Sequence, residues 1–125
     1  MSGTFCTAIN CMDGRVQIPV IRHLQQRWGV DHVDVVTEPG PVKAVAEEFK
    51  GAVATEIRRR VDVSRTAHGS TRIAVVAHQD CAGNPVTKTV QRQQLREAVR
   101  NLEKAYPDCD VMALWVDADG HVSGP

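Results

Sequence analysis

Short apolar runs and longer segments of helical periodicity alternate along the chain. Runs of this kind, bounded by turn residues, are typical of buried strands. Four of them predict four strands, at Thr4–Ile9, Val33–Thr37, Arg72–Ala77 and Val111–Val116. Asp119-Gly120 then predicts a hairpin turn into Val122, where a short fifth strand would lie.

Apolar residues at helical spacing predict helices between the strands. Pro19 fits the first turn of one helix, and Gly29 would end it. A longer helix is expected from Val42 to about Val61, with Gly51 as a point where it breaks or bends. The polar stretch Asp62–Thr71 is then expected to be a loop.

A last helix is expected after the third strand, with Asn84 as its N-cap, Pro85 at its first position and its end near Tyr106. Strands that alternate with helices are typical of a mostly parallel sheet covered on both faces. We therefore predict a single α/β domain over residues 1–125. It would have three layers, with a sheet of four to five strands flanked by helices.

The overall charge limits the classes of partner. The 125 residues include 15 Lys and Arg and 15 Asp and Glu, so the formal net charge is zero. This balance argues against a nucleic-acid or anionic-membrane partner recognised by bulk charge. Low net charge favours self-association, so we expect a homodimer or a larger homo-oligomer.

Neither a membrane-spanning segment nor a secretory signal is evident. The longest unbroken apolar run, Val111–Val116, is far too short to cross a bilayer, and the first residues lack the basic and apolar pattern of a signal peptide. We therefore expect a cytoplasmic protein. In a reducing compartment its four cysteines would be free thiols or metal ligands rather than disulfides.

Two motifs that follow the first and third predicted strands carry the candidate chemistry. Cys11 opens Cys-Met-Asp-Gly-Arg, and His78 and Cys81 enclose His-Gln-Asp-Cys. Ligands of parallel sheets bind beyond the carboxyl ends of the strands, so the motifs meet if these two strands are neighbours. Two thiolates and one imidazole, with a fourth position left open, are the ligand set of a catalytic zinc site. The alternatives are a buried apolar cysteine and a hydrogen-bonded core histidine.

Asp13 and Arg15 accompany the first motif. A carboxylate close to zinc can become the fourth ligand, or it can accept a hydrogen bond from bound water. An arginine two residues away can hold that carboxylate bidentately and keep it ionised. The sequence leaves open whether Asp13 or water fills the fourth position, and an ordinary surface ion pair is the alternative.

Other residues are assigned structural roles. Asp80 is expected to orient the turn of the second motif, and Cys6 and Cys109 are assigned to packing. Arg58–Arg60 is expected to form a solvated helix face, and Asp117–Gly120 a hairpin turn rather than a calcium loop. The remaining histidines, expected at the surface or in loops, are His23, His32, His68 and His121.

The paired motifs resemble those of the β-class carbonic anhydrases, which carry Cys-x-Asp-x-Arg after the first strand and His-x-x-Cys after a later one. By that resemblance Cys11, His78 and Cys81 would bind zinc, and Asp13 with Arg15 would control the fourth position. The implied fold is an α/β sheet assembled as a dimer or larger oligomer. The implied lyase reaction is the reversible hydration of carbon dioxide to bicarbonate by zinc-bound hydroxide. Because two thiolates cancel the charge of the metal, activity is expected to favour alkaline pH.

The chain departs from the family pattern near both motifs. Glu38-Pro-Gly-Pro41 stands where the family has an Arg-Asn-Ala-Gly-Asn type of loop. Ala82 follows the second zinc cysteine where glycine is usual, with Gly83 one place later. The glutamine expected in the substrate pocket has two candidates by proximity, Gln17 and Gln79.

The same residues are compatible with two other functions. One is hydrolysis of a related small molecule such as carbonyl sulfide or carbon disulfide. The other is a non-catalytic zinc-binding domain for assembly or sensing, in which Asp13 closes the coordination sphere permanently. A thiol-based phosphatase or sulfurtransferase is disfavoured, because no phosphate-cradling loop surrounds Cys11.

Overall fold

A computed structural model describes residues 3–125 of the chain. The strands are β1 (Phe5–Cys11), β2 (His32–Glu38), β3 (Arg72–His78), β4 (Asp110–Val116) and β5 (Val122–Ser123). The helices are α1 (Gln17–Trp28), α2 (Pro41–Glu47), α3 (Ala52–His68) and α4 (Lys88–Ala105), and a 3₁₀ turn covers Gly14–Val16. No helix within residues 3–125 is both long enough and apolar enough to cross a membrane.

The strands form one sheet in the order β2-β1-β3-β4-β5. The first four are parallel, and β5 returns antiparallel to the end of β4 through the turn predicted at Asp119-Gly120. The prediction of a mostly parallel, four- to five-stranded sheet flanked by helices is therefore confirmed. β1 and β3 are direct neighbours, with Thr7 opposite Ile73, so their carboxyl ends lie at the same edge of the sheet.

Helices cover both faces of the sheet because β1 and β3 are apolar on both sides. One layer packs α1 against the sheet through Val20 and Leu24. The opposite layer packs α2, α3 and α4, and its core includes Val45, Ile57 and Leu95. Strands buried on both faces are near-continuous apolar runs, which is the pattern that the sequence shows.

The helix expected from Val42 to Val61 is two helices, and the loop expected over Asp62–Thr71 is wrong up to His68, leaving only residues 69–71 as a connection. The chain breaks before Gly51, as that glycine suggested, and α3 then continues to His68. Its last turns face the sheet with polar side chains. Among them, Ser64 is buried and donates a hydrogen bond to the carboxylate of Asp34 at 2.7 Å. Hydrogen bonds to β2 therefore hold this part of α3 against the sheet. Because its inward side chains are polar, apolar periodicity did not predict a helix here.

The expected start of the last helix is also wrong. Asn84 does not cap α4, and Pro85 precedes it. The N-cap is Thr87, whose hydroxyl accepts a hydrogen bond from the Val90 amide at 3.3 Å. Asn84 is 1% exposed and its side chain bonds to Gln94, so it is engaged in the interior rather than at a helix end.

The arginine run of α3 is a set of individually partnered side chains. Arg58 lies 4.5 Å from the centre of the Phe49 ring, and Arg59 pairs with Glu56 at 2.9 Å. Arg60 pairs with Glu38 at 2.5 Å. Because each guanidinium has a local partner, the run does not form a free cationic patch.

Candidate metal centre

Cys11, His78 and Cys81 converge at the carboxyl edge of the sheet. Cys11 is the last residue of β1, His78 is the last residue of β3, and Cys81 lies in the turn that follows. One potential ligand atom from each of the three lies within 4.8 Å of the others. The two sulfur atoms are 3.9 Å apart, a spacing compatible with two thiolates on one tetrahedral ion. The structure therefore brings together all three residues predicted as ligands.

All three side chains are buried, with exposed fractions of 4%, 2% and 5% in chain order. Buried polar groups nearly always have a hydrogen-bond partner. His78 is an exception: Nδ1 lies 2.8 Å from the carbonyl oxygen of Gln79, whereas Nε2 has no hydrogen-bond partner among the described residues. The carbonyl fixes the proton on Nδ1, so Nε2 keeps a free lone pair in the interior. That arrangement is typical of a metal-binding histidine, whose other nitrogen donates to a carbonyl or carboxylate.

Backbone amides contact Cys11 and Cys81, and burial acts on the Cys81 thiol. The Gly40 amide donates to the sulfur of Cys11 at 3.5 Å. Burial raises the pKa of the Cys81 thiol, the neighbouring Cys11 raises it further, and the amides of Gly83 and Asn84 lower it. A metal ion would replace the proton, since a coordinating thiol is deprotonated. Two sulfurs and an imidazole fit a borderline-soft divalent ion.

Asp13 and Arg15 form the bidentate pair that the sequence predicted. Arg15 Nη2 donates to Asp13 Oδ2 at 2.6 Å, and its Nε lies 3.1 and 3.2 Å from Oδ1 and Oδ2. The Arg15 amide also donates to Oδ1 at 2.9 Å. These hydrogen bonds hold the pKa of the Asp13 carboxyl well below its usual range. Asp13 is not part of the ligand group, which contains no carboxylate from residues 3–125.

Arg15 also joins the two motif loops. Its Nη2 lies 3.3 Å from the carbonyl oxygen of Asp80, and its Nη1 lies 3.6 Å from the Asp80 carboxylate. Asp80 has φ of +59°, which makes it the one non-glycine residue in the left-handed region over residues 3–125. The expectation that Asp80 orients the turn agrees with this contact.

The two segments that depart from the family pattern, Glu38–Pro41 and Ala82-Gly83, pack against each other. A Cβ on Gly83 would lie 2.5 Å from the carbonyl carbon of Pro39, and a Cβ on Gly40 would lie 2.8 Å from the carbonyl carbon of Gly83. Gly40 also has φ of +52°. The loop after β2 and the loop after β3 therefore touch backbone to backbone, and glycine is required on both sides. This contact holds the Gly40 amide against Cys11.

A buried polar chain that the sequence did not reveal supports the turn after β3. Asn84 donates to Gln94 at 2.7 Å, and Gln94 donates to Glu47 of α2 at 2.8 Å. Gln91 donates to the carbonyl oxygen of His78 itself at 3.1 Å. The available sequence signal was the helical spacing of Gln91 and Gln94 with Leu95, which places two amides on the apolar side of the predicted helix, where such side chains need partners.

The two glutamine candidates for the pocket have different positions. Gln17 donates to the carbonyl oxygens of Cys11 and Asp13, at 2.6 and 3.2 Å, and so fixes the first motif. Gln79 is exposed and lines the pocket beside His78.

The histidines and cysteines assigned elsewhere lie outside the ligand group. Among them, His68 pairs with Asp34 at 2.6 Å and Cys6 is fully buried.

Comparison with known proteins defines the class. The family model described as "Putative carbonic anhydrase" matches residues 1–124, so the chain belongs to this carbonic-anhydrase-like family. Among solved structures, the apo form of carbon disulfide hydrolase is similar, with a TM-score of 0.64 and 15% sequence identity. The similarity covers 96% of this chain and 77% of that one, and at this identity it establishes the fold. No curated protein matches the chain.

Gly83→Ala tests the contact between the loops. Because its Cβ would overlap the Pro39 backbone, we expect the loops to separate, metal affinity to fall by about tenfold or more, and the melting temperature to drop by several degrees. Zinc titration and thermal unfolding measure both effects. Gly14→Ala is the matched control, since a Cβ there meets nothing within 4 Å. Equal behaviour of the two variants would contradict the role given to Gly83.

Proposed function

We propose that this chain is a zinc-dependent carbonic anhydrase that hydrates carbon dioxide reversibly to bicarbonate. The observation that carries the proposal is the unpartnered, buried Nε2 of His78 in a group with two buried thiols. A purely structural core would leave such an atom desolvated and unpaired, at a cost of about 1–3 kcal/mol. Membership of the carbonic-anhydrase-like family supports the same conclusion.

Cys11, His78 and Cys81 would hold the zinc ion, leaving one position of a tetrahedron for an exchangeable ligand. A zinc ion held there lowers the pKa of bound water and so supplies a nucleophile for a neutral carbon centre. The Gln79 carbonyl keeps the His78 ring in the required tautomer throughout. Gln17 holds the Cys11 carbonyl, which fixes the first ligand on its strand.

Asp13 supplies a hydrogen-bond acceptor beside the metal group. Its carboxylate has about four acceptor sites. Three Arg15 protons, on the backbone amide, Nε and Nη2, are directed at those sites. One acceptor site is therefore left for a hydroxyl of the reacting water or of bicarbonate. Because Arg15 keeps the carboxyl ionised, Asp13 accepts a hydrogen bond and does not donate one at any working pH.

A pocket lies beside the site, on its His78 side. It has a volume of about 420 Å³, and its lining includes His78, Arg15 and Val16. Charged and polar side chains of Arg15, Gln79 and Asp80 line it beside His78, which is suited to a small molecule that reacts with water and leaves as a hydrated product.

The test is the rate of carbon dioxide hydration per bound zinc, measured by stopped flow at alkaline pH. We expect a rate well above the buffer background, lost on chelation and restored by one equivalent of zinc. Full zinc occupancy with a background rate would refute the anhydrase assignment. That outcome would favour the non-catalytic zinc domain, in which metal removal abolishes folding or assembly instead.

A second candidate is hydrolysis of carbon disulfide or carbonyl sulfide. The observation that favours it is the fold similarity to carbon disulfide hydrolase, at a TM-score of 0.64. The same metal group and the same Asp13 acceptor would serve this reaction, because both substrates present an electrophilic carbon in a linear molecule. Sulfide release from each compound by the zinc-loaded protein, set against the carbon dioxide rate, decides between the two.

A further inference from the structure

The pocket outside the metal group carries an excess of negative charge. Its lining residues are Arg15, Val16, His78, Gln79, Asp80, Asp117, Ala118 and Gly120. Arg15 is the one permanent cation among them, against the carboxylates of Asp80 and Asp117. Asp13, which binds Arg15, adds a third negative charge. One positive and three negative charges leave this pocket at about −2.

The positive charge of Arg15 is already compensated by two carboxylates, so it attracts an anionic ligand only weakly. Its Nη2 lies 2.6 Å from Asp13, and its Nη1 lies 3.6 Å from the Asp80 carboxylate. The bonded partners of Asp117 Oδ1 are the amides of Asp119 and His121, both at 2.9 Å, so hydrogen bonds hold that carboxylate without cancelling its charge. A divalent metal with two thiolates is itself neutral. An anion that approaches the site therefore meets net repulsion.

The backbone at position 80 does not require a carboxylate. Its φ of +59° restricts the position to residues that tolerate the left-handed region, which are chiefly glycine, asparagine and aspartate. Of these three, only aspartate is charged. The side chain of Asp80 is 85% exposed, so packing does not select it either. The ion partner of the Asp80 carboxylate is Arg15, at 3.6 Å, and an exposed pair of this kind contributes little to stability, so the pair alone does not account for the charge.

We propose that Asp80 is a specificity-determining residue, whose carboxylate disfavours anions at the metal centre. A neutral substrate then enters unopposed, and an anionic product such as bicarbonate leaves more readily. The inference rests on the proposed function, because it assumes a neutral substrate and an anionic product at this site. It assigns to Asp80 a role separate from that of the Asp13–Arg15 pair.

Anion binding by cobalt-loaded protein tests the proposal directly. Thiocyanate is titrated at constant ionic strength, and its binding is followed by the visible absorption of cobalt. Asp80→Asn keeps a residue that suits the left-handed backbone and removes the charge. We expect thiocyanate to bind about two- to tenfold more tightly to this variant, the range given by one unit charge acting over several ångströms near a protein surface. The gain should shrink at high ionic strength.

Two further variants make the result decisive. Asp117→Asn keeps an oxygen acceptor for the hairpin amides and should tighten thiocyanate binding in the same direction. Asp119→Asn removes the same charge from the same hairpin, but residue 119 does not line the pocket and should have a smaller effect. Unchanged binding in Asp80→Asn would overturn the proposal whatever Asp117→Asn does, as would an equal gain in Asp119→Asn.

The readout separates this proposal from the proposed function. Cobalt absorption reports thiocyanate binding whether or not carbon dioxide is turned over, so a failed hydration assay leaves the titration interpretable. Conversely, rapid hydration together with unchanged thiocyanate affinity in Asp80→Asn would refute the role of Asp80 and leave the anhydrase assignment intact.

Discussion

We expect the Cys81→Ser variant to lose the one zinc ion that each wild-type chain would bind. Zinc sites with four protein ligands bind with roughly 10–16 kcal/mol, or about 2.5–4 kcal/mol per ligand, so losing one thiolate weakens binding by about 10²–10³-fold. Competition titration with a chromogenic chelator measures this loss. The wild-type affinity should rise with pH, because the raised pKa of Cys81 means that the metal must displace a proton. The expected gain from this thiol is about tenfold per pH unit below its pKa.

Cys109→Ser is the matched control for that experiment. It makes the same sulfur-to-oxygen change in a half-buried thiol outside the ligand group, and it should leave zinc affinity within about twofold of wild type. Retention of one tightly bound zinc per chain in Cys81→Ser would overturn the ligand assignment. Retention of zinc in Cys81→Ser with loss in Cys109→Ser would place the site elsewhere.

Asp13→Asn should keep the zinc and lose the activity. The amide has one acceptor oxygen in place of two and no charge, so it cannot both satisfy Arg15 and accept a hydrogen bond from the reacting hydroxyl. Removing one positioned hydrogen-bonding group at a reacting centre costs about 10²–10³-fold, and we expect a loss of that size in the hydration rate per bound zinc. Because the Asp13 pKa lies far below neutrality, the wild-type pH profile should show no step from this carboxyl.

Arg15→Lys and Arg59→Lys form the matched pair for this prediction. Lysine keeps the charge but cannot reproduce the bidentate contact with Asp13, so Arg15→Lys should reduce the hydration rate by about tenfold or more. Arg59 makes a surface ion pair with Glu56 on α3, and its replacement should leave the rate unchanged. A fully active Asp13→Asn would show that the pair orients the loop without contacting the reacting atoms.

The sequence predicted the secondary structure correctly where apolar residues recur with a clear period. Strands β1 and β3 and the hairpin into β5 lie where their patterns predicted them, because burial on both faces and turn residues leave strong local signals. The prediction failed over Asp62–Thr71, where Ser64 and His68 replace apolar contacts with hydrogen bonds to Asp34. A pattern of hydrophobic residues cannot predict a helix face that is held by hydrogen bonds to a strand about 30 residues away in the sequence.

Three properties of the protein are predictions from its sequence. The assignment of Cys11, His78 and Cys81 as zinc ligands rests on their convergence and awaits the metal titrations. The homo-oligomer and the cytoplasmic location also await direct measurement. Light scattering at two protein concentrations tests the homo-oligomer.

By itself the sequence determined the donor atoms, their order and their local spacing. The Asp13–Arg15 contact and the His78–Cys81 turn are set by chain neighbours, so short motifs were sufficient to predict them. Only the tertiary structure decided that the two motifs share a site, because β1 and β3 must be adjacent for residues 67 positions apart to meet. It also decided the glycine contact between loops, the free Nε2 of His78 and the charge around Asp80. Each of these depends on residues that are distant in the chain and close in space.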